Sequence, residues 1–161
     1  LKKFHLMEKI RVKGKGLSLG FFLLSGGQLC FFYLCAMIYG VGTDIIEVDR
    51  IRKFIGKGDA FKQRVRTEKE IEYCDSHRDP APSYAARFSA KEAFVKGLGT
   101  GFIKGIGFHE IEVYHDELHK PHIRLSGKAK EYADQANIIK IHLSISHVKD
   151  WANAVAVLET E

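Results

Sequence analysis

Ile139-Lys-Ile-His-Leu-Ser-Ile-Ser-His147 alternates apolar and polar side chains. A period of two puts Ile139, Ile141, Leu143 and Ile145 on one face and Lys140, His142, Ser144 and Ser146 on the other. That pattern predicts a half-buried strand whose apolar face runs on into His147. Ala152 to Leu158 reads as a closing strand. Further upstream, Ile111, Val113 and Ile123, Leu125 alternate with polar residues on either side of Asp116 to Pro121, the signature of a hairpin. Between hairpin and strand, Ser126 can cap a helix ending near Asn137.

The first part of this region reads differently. Asp79-Pro-Ala-Pro82 breaks the chain and opens a helix from about Ser83, which stops at Gly97-Leu-Gly-Thr-Gly101. Thr67 to Cys74 predicts a short helix opened by a threonine with acids in its first turn. Val48, Ile51 and Ile55 recur at helical spacing until Gly56 and Gly58 end the run. Before it, Met37 to Asp44 reads as a strand in which Gly40 and Gly42 permit close backbone approach. Helices and antiparallel strands are intermixed without regular βαβ repeats, so the fold class is α+β, with one small domain from residue 37 to 161.

A chain of 161 residues with 45% hydrophobic content can bury one proper core. Its net charge of +5 is misleading, because Lys2, Lys3, Lys9, Arg11, Lys13 and Lys15 against Glu8 account for all of it. The 125 residues from 37 onward are neutral, which argues against a nucleic-acid partner. Locally, Arg50, Arg52, Lys53, Lys57, Lys62, Arg64 and Arg66 stand against Asp59 alone. This is either a stripe that steers an acidic partner or a solvated helix face. Cys30, Cys35 and Cys74 form no Cys-x-x-Cys pair and no disulfide framework, and point to a reducing cytoplasm.

From Leu17 to Ile38 no residue is charged, and the run follows a Lys-rich stretch, so the first 39 residues imitate a signal peptide or a membrane span. Gly20, Ser25, Gly26, Gly27 and Gln28 interrupt the run. The expectation is a non-native extension with Met37 as the true start, in preference to a membrane anchor.

The chemistry concentrates on Arg87-Phe-Ser-Ala-Lys-Glu-Ala-Phe-Val-Lys96 and Gly42-Thr-Asp-Ile45. Arg87 and Lys91 stand four residues apart, as do Glu92 and Lys96, so one helix would carry three cations and a carboxylate toward overlapping surfaces. A carboxylate among cations suits magnesium and a pyrophosphate. Asp44, between Val41 and Ile45, needs a cation, a metal or a backbone donor if buried; its spacing to Glu47 equally suits a capping pair. Glu92 could simply pair with Lys96 on the surface. His147 could reach a ligand from the sheet's end or serve as a hydrogen-bonded core histidine. His115, His119 and His122 flank a turn and lack helical metal-ligand spacing.

Three segments together resemble the holo-acyl carrier protein synthases, the small phosphopantetheinyl transferases. They are Gly42-Thr-Asp-Ile-Ile-Glu-Val-Asp-Arg-Ile51, Arg87-Phe-Ser-Ala-Lys-Glu-Ala-Phe-Val-Lys-Gly-Leu-Gly-Thr-Gly101, and Ser144-Ile-Ser-His147 with its closing strand. The resemblance runs from Met37 to the C-terminus; Trp151 stands where the family often shows Tyr. It implies transfer of 4'-phosphopantetheine from coenzyme A to a serine of apo-acyl carrier protein, releasing adenosine 3',5'-bisphosphate, in support of fatty acid biosynthesis. It implies Asp44 and Glu92 as magnesium ligands, Lys96 as a phosphate-neutralising cation and Glu92 as the candidate to accept the serine proton. Arg87 and His147 would then contact substrate phosphates, and Arg50, Arg52 and Lys53 would dock the acidic carrier protein. The family likeness also implies a homotrimer with shared sites.

Overall fold

The computed structural model describes residues 37–58, 60–102 and 105–161, and the backbone of the strands at 9–11, 18–24 and 28–34. The chain divides into two compact units, Leu1–Met37 with Glu161, and Ile38–Thr160. In the first, β1 (Lys9–Arg11), β2 (Ser18–Leu24) and β3 (Gln28–Leu34) form an antiparallel sheet in that order. Part of the expected leader falls outside the described residues; the described part is strand. Among the described residues no helix is long and apolar enough to cross a membrane.

The second unit is built around the sheet β4-β8-β7: β4 (Met37–Glu47), β7 (Ile138–His147) and β8 (Trp151–Thr160). The alternation that predicted β7 sets its register, with Leu143 opposite Ala156 and Ile145 opposite Ala154. Ile139 departs from the expected inward face. A register irregularity between Ile138 and Lys140 leaves it 50% exposed.

Against the inner face lies α4 (Ala81–Leu98), starting two residues before the expected Ser83. Pro80 and Pro82 frame its first turn, and Gly99 at φ 74° closes it in the left-handed conformation that glycine adopts freely. The helix is buried on most sides because Ala90, Ala93, Phe94 and Leu98 pack on Leu143, Ala154, Ala156 and Leu158. Small residues on both partners allow this close packing. A second cluster joins Ile46, Val48 and Ile51 to Cys74, Tyr84, Ala85 and Ala152.

The remaining elements surround α4. They are α1 (Val48–Ile55), α2 (Ala60–Val65), α3 (Glu68–Asp75), the hairpin β5 (Ile111–His115) with β6 (Pro121–Leu125), and α5 (Gly127–Gln135). Thr67 opens α3 with a full capping box, its hydroxyl taking the Glu70 amide while Glu70 takes the Thr67 amide. No helical pattern separates α2 from the basic stripe around it, because its single buried residue is Val65. Ser126 holds the N-cap position of α5 without a side-chain cap bond. Glu110 caps instead, its Oε2 accepting from Ala129 N at 3.1 Å, while Gly107 N at 3.2 Å closes Glu110's own turn. A reach from 19 residues away lies beyond any local cap signature.

Candidate active site

The site begins with two glycines. A Cβ on Gly42 would sit 1.9 Å from Ala93 O and 2.4 Å from Gly97 N, and one on Gly40 would sit 2.1 Å from Gly97 O. Only bare backbone lets β4 approach α4 so closely. The contact sets Asp44, two residues past Gly42, beside the stretch of α4 from Ser89 to Lys96.

Lys96 Nζ donates to Asp44 Oδ1 at 2.8 Å and to Thr43 O at 3.1 Å. The Asp44 carbonyl accepts from Ser89 Oγ at 2.7 Å and Asn153 Nδ2 at 2.8 Å. Helix and sheet therefore both grip the same peptide unit. Asp44 is not a helix cap: Glu47 is the N-cap of α1, without a side-chain cap bond, and Val48 N bonds to Asp150 O.

Glu92 completes the cluster. Burial pushes its carboxyl above the ordinary glutamate range, Asp44 pushes it further the same way, and Lys96 opposes them. The surface pair Glu92–Lys96 suggested by the four-residue spacing does not form, because Lys96 turns to Asp44. Two carboxylates held close in partial burial repel each other, an arrangement that a divalent cation relieves. Among the described residues no third Asp, Glu, His or Cys joins them. Two carboxylates with phosphate oxygens completing the shell suit magnesium, which keeps waters and binds few protein ligands.

The other half of the motif faces elsewhere. Arg87 and Lys91 point to α3 and β5, so α4 carries its charges on two faces rather than on one overlapping surface. Lys91 is fully buried in an ion pair with Glu70 at 2.7 Å, and burial draws its ammonium down to about 8. Arg87, 3% exposed, lies with its guanidinium 4.1 Å from the Tyr73 ring centre. It lines a cleft of about 430 Å³ that also contains Tyr73, His115 and Arg124. His147 is exposed at the end of β7, opposite Ala152 and one register step from Asn153, which holds Asp44. That brings it to the Asp44 end of the sheet.

The basic stripe is divided in the structure. Arg52 is committed to Asp79 at 2.6 Å and Asp49 at 3.3 Å, Lys62 to Asp75 at 2.8 Å, and Arg66 is buried against Tyr84 and Phe88. Arg50, Lys53, Lys57 and Arg64 remain exposed.

Sequence reasoning missed the residues that hold the site: Ser89, Asn153 and the Glu70 partner of Lys91. Ser89 and Asn153 act through backbone carbonyls and leave no spacing signal. Glu70 was visible only as an acid in the first turn of α3.

Residues 40–156 match the 4'-phosphopantetheinyl transferase superfamily. A holo-[acyl-carrier-protein] synthase of Ruminiclostridium cellulolyticum is 51% identical over 120 residues, 73% of this chain and 90% of that protein. The crystal structure of the holo-[acyl-carrier-protein] synthase of Neisseria meningitidis superposes with a TM-score of 0.72 at 36% identity, covering 77% of this chain and all of that one. The Bacillus anthracis synthase, solved in complex with CoA (3',5'-ADP), superposes at 0.66 with 40% identity, covering 78% of this chain and 100% of that one.

Proposed function

This chain belongs to the 4'-phosphopantetheinyl transferase superfamily, and from that premise we infer its reaction. It transfers 4'-phosphopantetheine from coenzyme A to a serine hydroxyl of an apo-acyl carrier protein, giving the holo-protein and adenosine 3',5'-bisphosphate. The observation that carries the mechanism is the meeting of Asp44, Glu92 and Lys96 where β4 crosses α4.

Asp44 and Glu92 would hold a magnesium ion, which when bound supplies charge neutralisation and polarisation of the pyrophosphate. Lys96 adds a cation on the same side and moves from Asp44 toward phosphate oxygens as substrate enters. Glu92 is the base for the serine proton. That role needs its carboxylate within hydrogen-bond reach of the serine hydroxyl. Arg87, on another face of α4 from this cluster, holds a phosphate of coenzyme A at a site shared between neighbouring copies, and His147 approaches from the sheet's end. The exposed Arg50 and Lys53 on α1 attract the acidic carrier protein, with Arg52 reaching it only by releasing Asp79.

The active assembly in this reading is a homotrimer. Tyr39, Val41 and Ile45 on the outward side of β4 are 46%, 59% and 61% exposed, an apolar strip that supports burial against another copy. The setting is the cytoplasm, which the cysteine spacing supports, and the holo-carrier product serves fatty acid biosynthesis.

Intact mass spectrometry of an apo-carrier protein incubated with the full chain, coenzyme A and magnesium tests the reaction. The expected result is a gain of one phosphopantetheine group, abolished by a chelator and restored by added magnesium. An unchanged mass under all conditions would refute the assignment.

A further inference from the structure

The Glu70–Lys91 pair lies outside the Asp44–Glu92 cluster, yet it is buried and densely hydrogen-bonded. Lys91 Nζ donates to Glu70 Oε2 at 2.7 Å, Val65 O at 3.0 Å and Phe108 O at 3.0 Å, using its three protons. Glu70 Oε2 also accepts from Thr67 N at 2.9 Å, and Oε1 accepts from Val113 N at 3.0 Å. Both side chains are essentially inaccessible, at 0% and 1%. One pair thus fastens the end of α2, the start of α3, the turn at Phe108 and strand β5 to a single point on α4. That point is one residue before Glu92 and one helical turn after Arg87.

Arg87 shows what this fastening serves. Its polar contacts are long, Nη1 to Ser83 O at 3.4 Å and Nη2 to His115 Nδ1 at 3.5 Å, and Nε is buried without a partner among the described residues. Its orientation therefore comes from what packs on it. Tyr73 of α3 lies under the guanidinium at 4.1 Å, and the His115 ring of β5 stacks on Tyr73 at 5.3 Å. Glu70 binds α3 through Thr67 and β5 through Val113, the two elements that supply this aromatic support. Burying an ion pair is costly and seldom stabilises more than apolar packing of equal volume, so a role in geometry is the better account of its presence.

We infer that Tyr73 and the Glu70–Lys91 pair are positioning residues for the transfer reaction. They hold the Arg87 guanidinium facing the cleft in which it binds an anionic group of coenzyme A. This rests on the proposed role of Arg87, and the test separates the two. The planar ring orients the guanidinium by stacking, and the ion pair fixes the ring's distance from α4.

The experiment measures kcat and KM for coenzyme A in Tyr73→Leu, Arg87→Ala and the combined variant, with the carrier protein saturating. Tyr73 is 41% exposed, so Tyr73→Leu removes little core packing, and circular dichroism verifies its folding. The expected result is a KM raised about tenfold in Tyr73→Leu with kcat within about twofold, a larger rise in Arg87→Ala, and no further rise in the combination, because Tyr73 acts through Arg87. The paired change Glu70→Gln with Lys91→Met, which leaves no lone buried charge, should raise KM in the same way and likewise add nothing to Arg87→Ala. If Arg87→Ala leaves KM unchanged, the role of Arg87 itself fails and the inference falls with it. If Arg87→Ala raises KM while Tyr73→Leu and the paired variant leave it at the wild-type value, or raise it equally in the Arg87→Ala background, the positioning role alone is overturned.

Discussion

Lys96 Nζ lies 2.8 Å from Asp44 Oδ1 across 52 residues of sequence, a side-chain ion pair between the first strand of the domain and its central helix. Asp44 is largely covered while Lys96 is 49% exposed, so solvent screens much of their attraction. Lys96→Met should therefore change unfolding free energy by only about 0–1 kcal/mol. Loss of a cation aimed at a phosphate centre should lower kcat by about a hundredfold. Urea titration and steady-state kinetics on the same preparation check both; a variant with normal kcat removes Lys96 from the mechanism.

Gly42→Ala probes the crossing itself. The added methyl would stand 1.9 Å from the Ala93 carbonyl oxygen, and backbone cannot swing aside as a side-chain tip can. The strand must retreat, at a cost of about 2 kcal/mol for overpacking, and Asp44 retreats with it. The expected outcome is a lower urea midpoint and, under conditions where the variant is still folded, strongly reduced transfer. Wild-type kinetics would mean that the close approach of β4 has no catalytic value.

Glu92 gives a pH prediction with a definite sign. Its folded-state proton affinity is raised, first by burial and then by Asp44, so in the metal-free protein it ionises above the ordinary glutamate range. Between the unfolded and folded values the native state binds more protons, and stability falls as pH rises through that window. Removing the neighbouring anion in Asp44→Asn should lower the Glu92 pKa, and removing the cation in Lys96→Met should raise it. Carbon-detected NMR titration of the side-chain carboxyl reads the shifts directly; shifts of opposite sign contradict the geometry.

Glu110 is a structural control. It caps α5 through Ala129 N and closes its own turn through Gly107 N, and these bonds hold its carboxyl below the ordinary range despite some burial. Its stabilisation is present above the ordinary glutamate pKa and is lost as pH falls through the lowered folded value. Glu110→Ala should cost about 1 kcal/mol near neutral pH, with kcat unchanged. Thermal melts at neutral and acidic pH should converge for wild type and variant; a difference that persists in acid would point to packing instead of the cap.

The parts of the fold that follow local rules were legible in the sequence. Period two in Ile139 to His147, the Thr67 cap and the glycine stop after Leu98 each encode their element within a few residues, and each element formed there. What depends on distant partners was not legible. Four-residue spacing suggested that Glu92 pairs with Lys96, but a partner from another strand competes better, and Lys96 goes to Asp44. The same spacing grouped Arg87 and Lys91 with the acidic cluster, whereas the buried Glu70 draws Lys91 to the opposite face of α4. Runs of like charge were similarly ambiguous: Arg52, Lys62 and Arg66 find acids or aromatic faces that only the folded chain brings near.

The central claim is that Asp44 and Glu92 act as one divalent-ion site. Electron paramagnetic resonance with manganese as the probe tests it on the full chain, comparing wild type with Asp44→Asn and Glu92→Gln after circular dichroism has verified folding. The account predicts one bound ion per chain in wild type, displaced by magnesium, with affinity lowered at least tenfold in each variant. Undiminished manganese binding by either folded variant would contradict it.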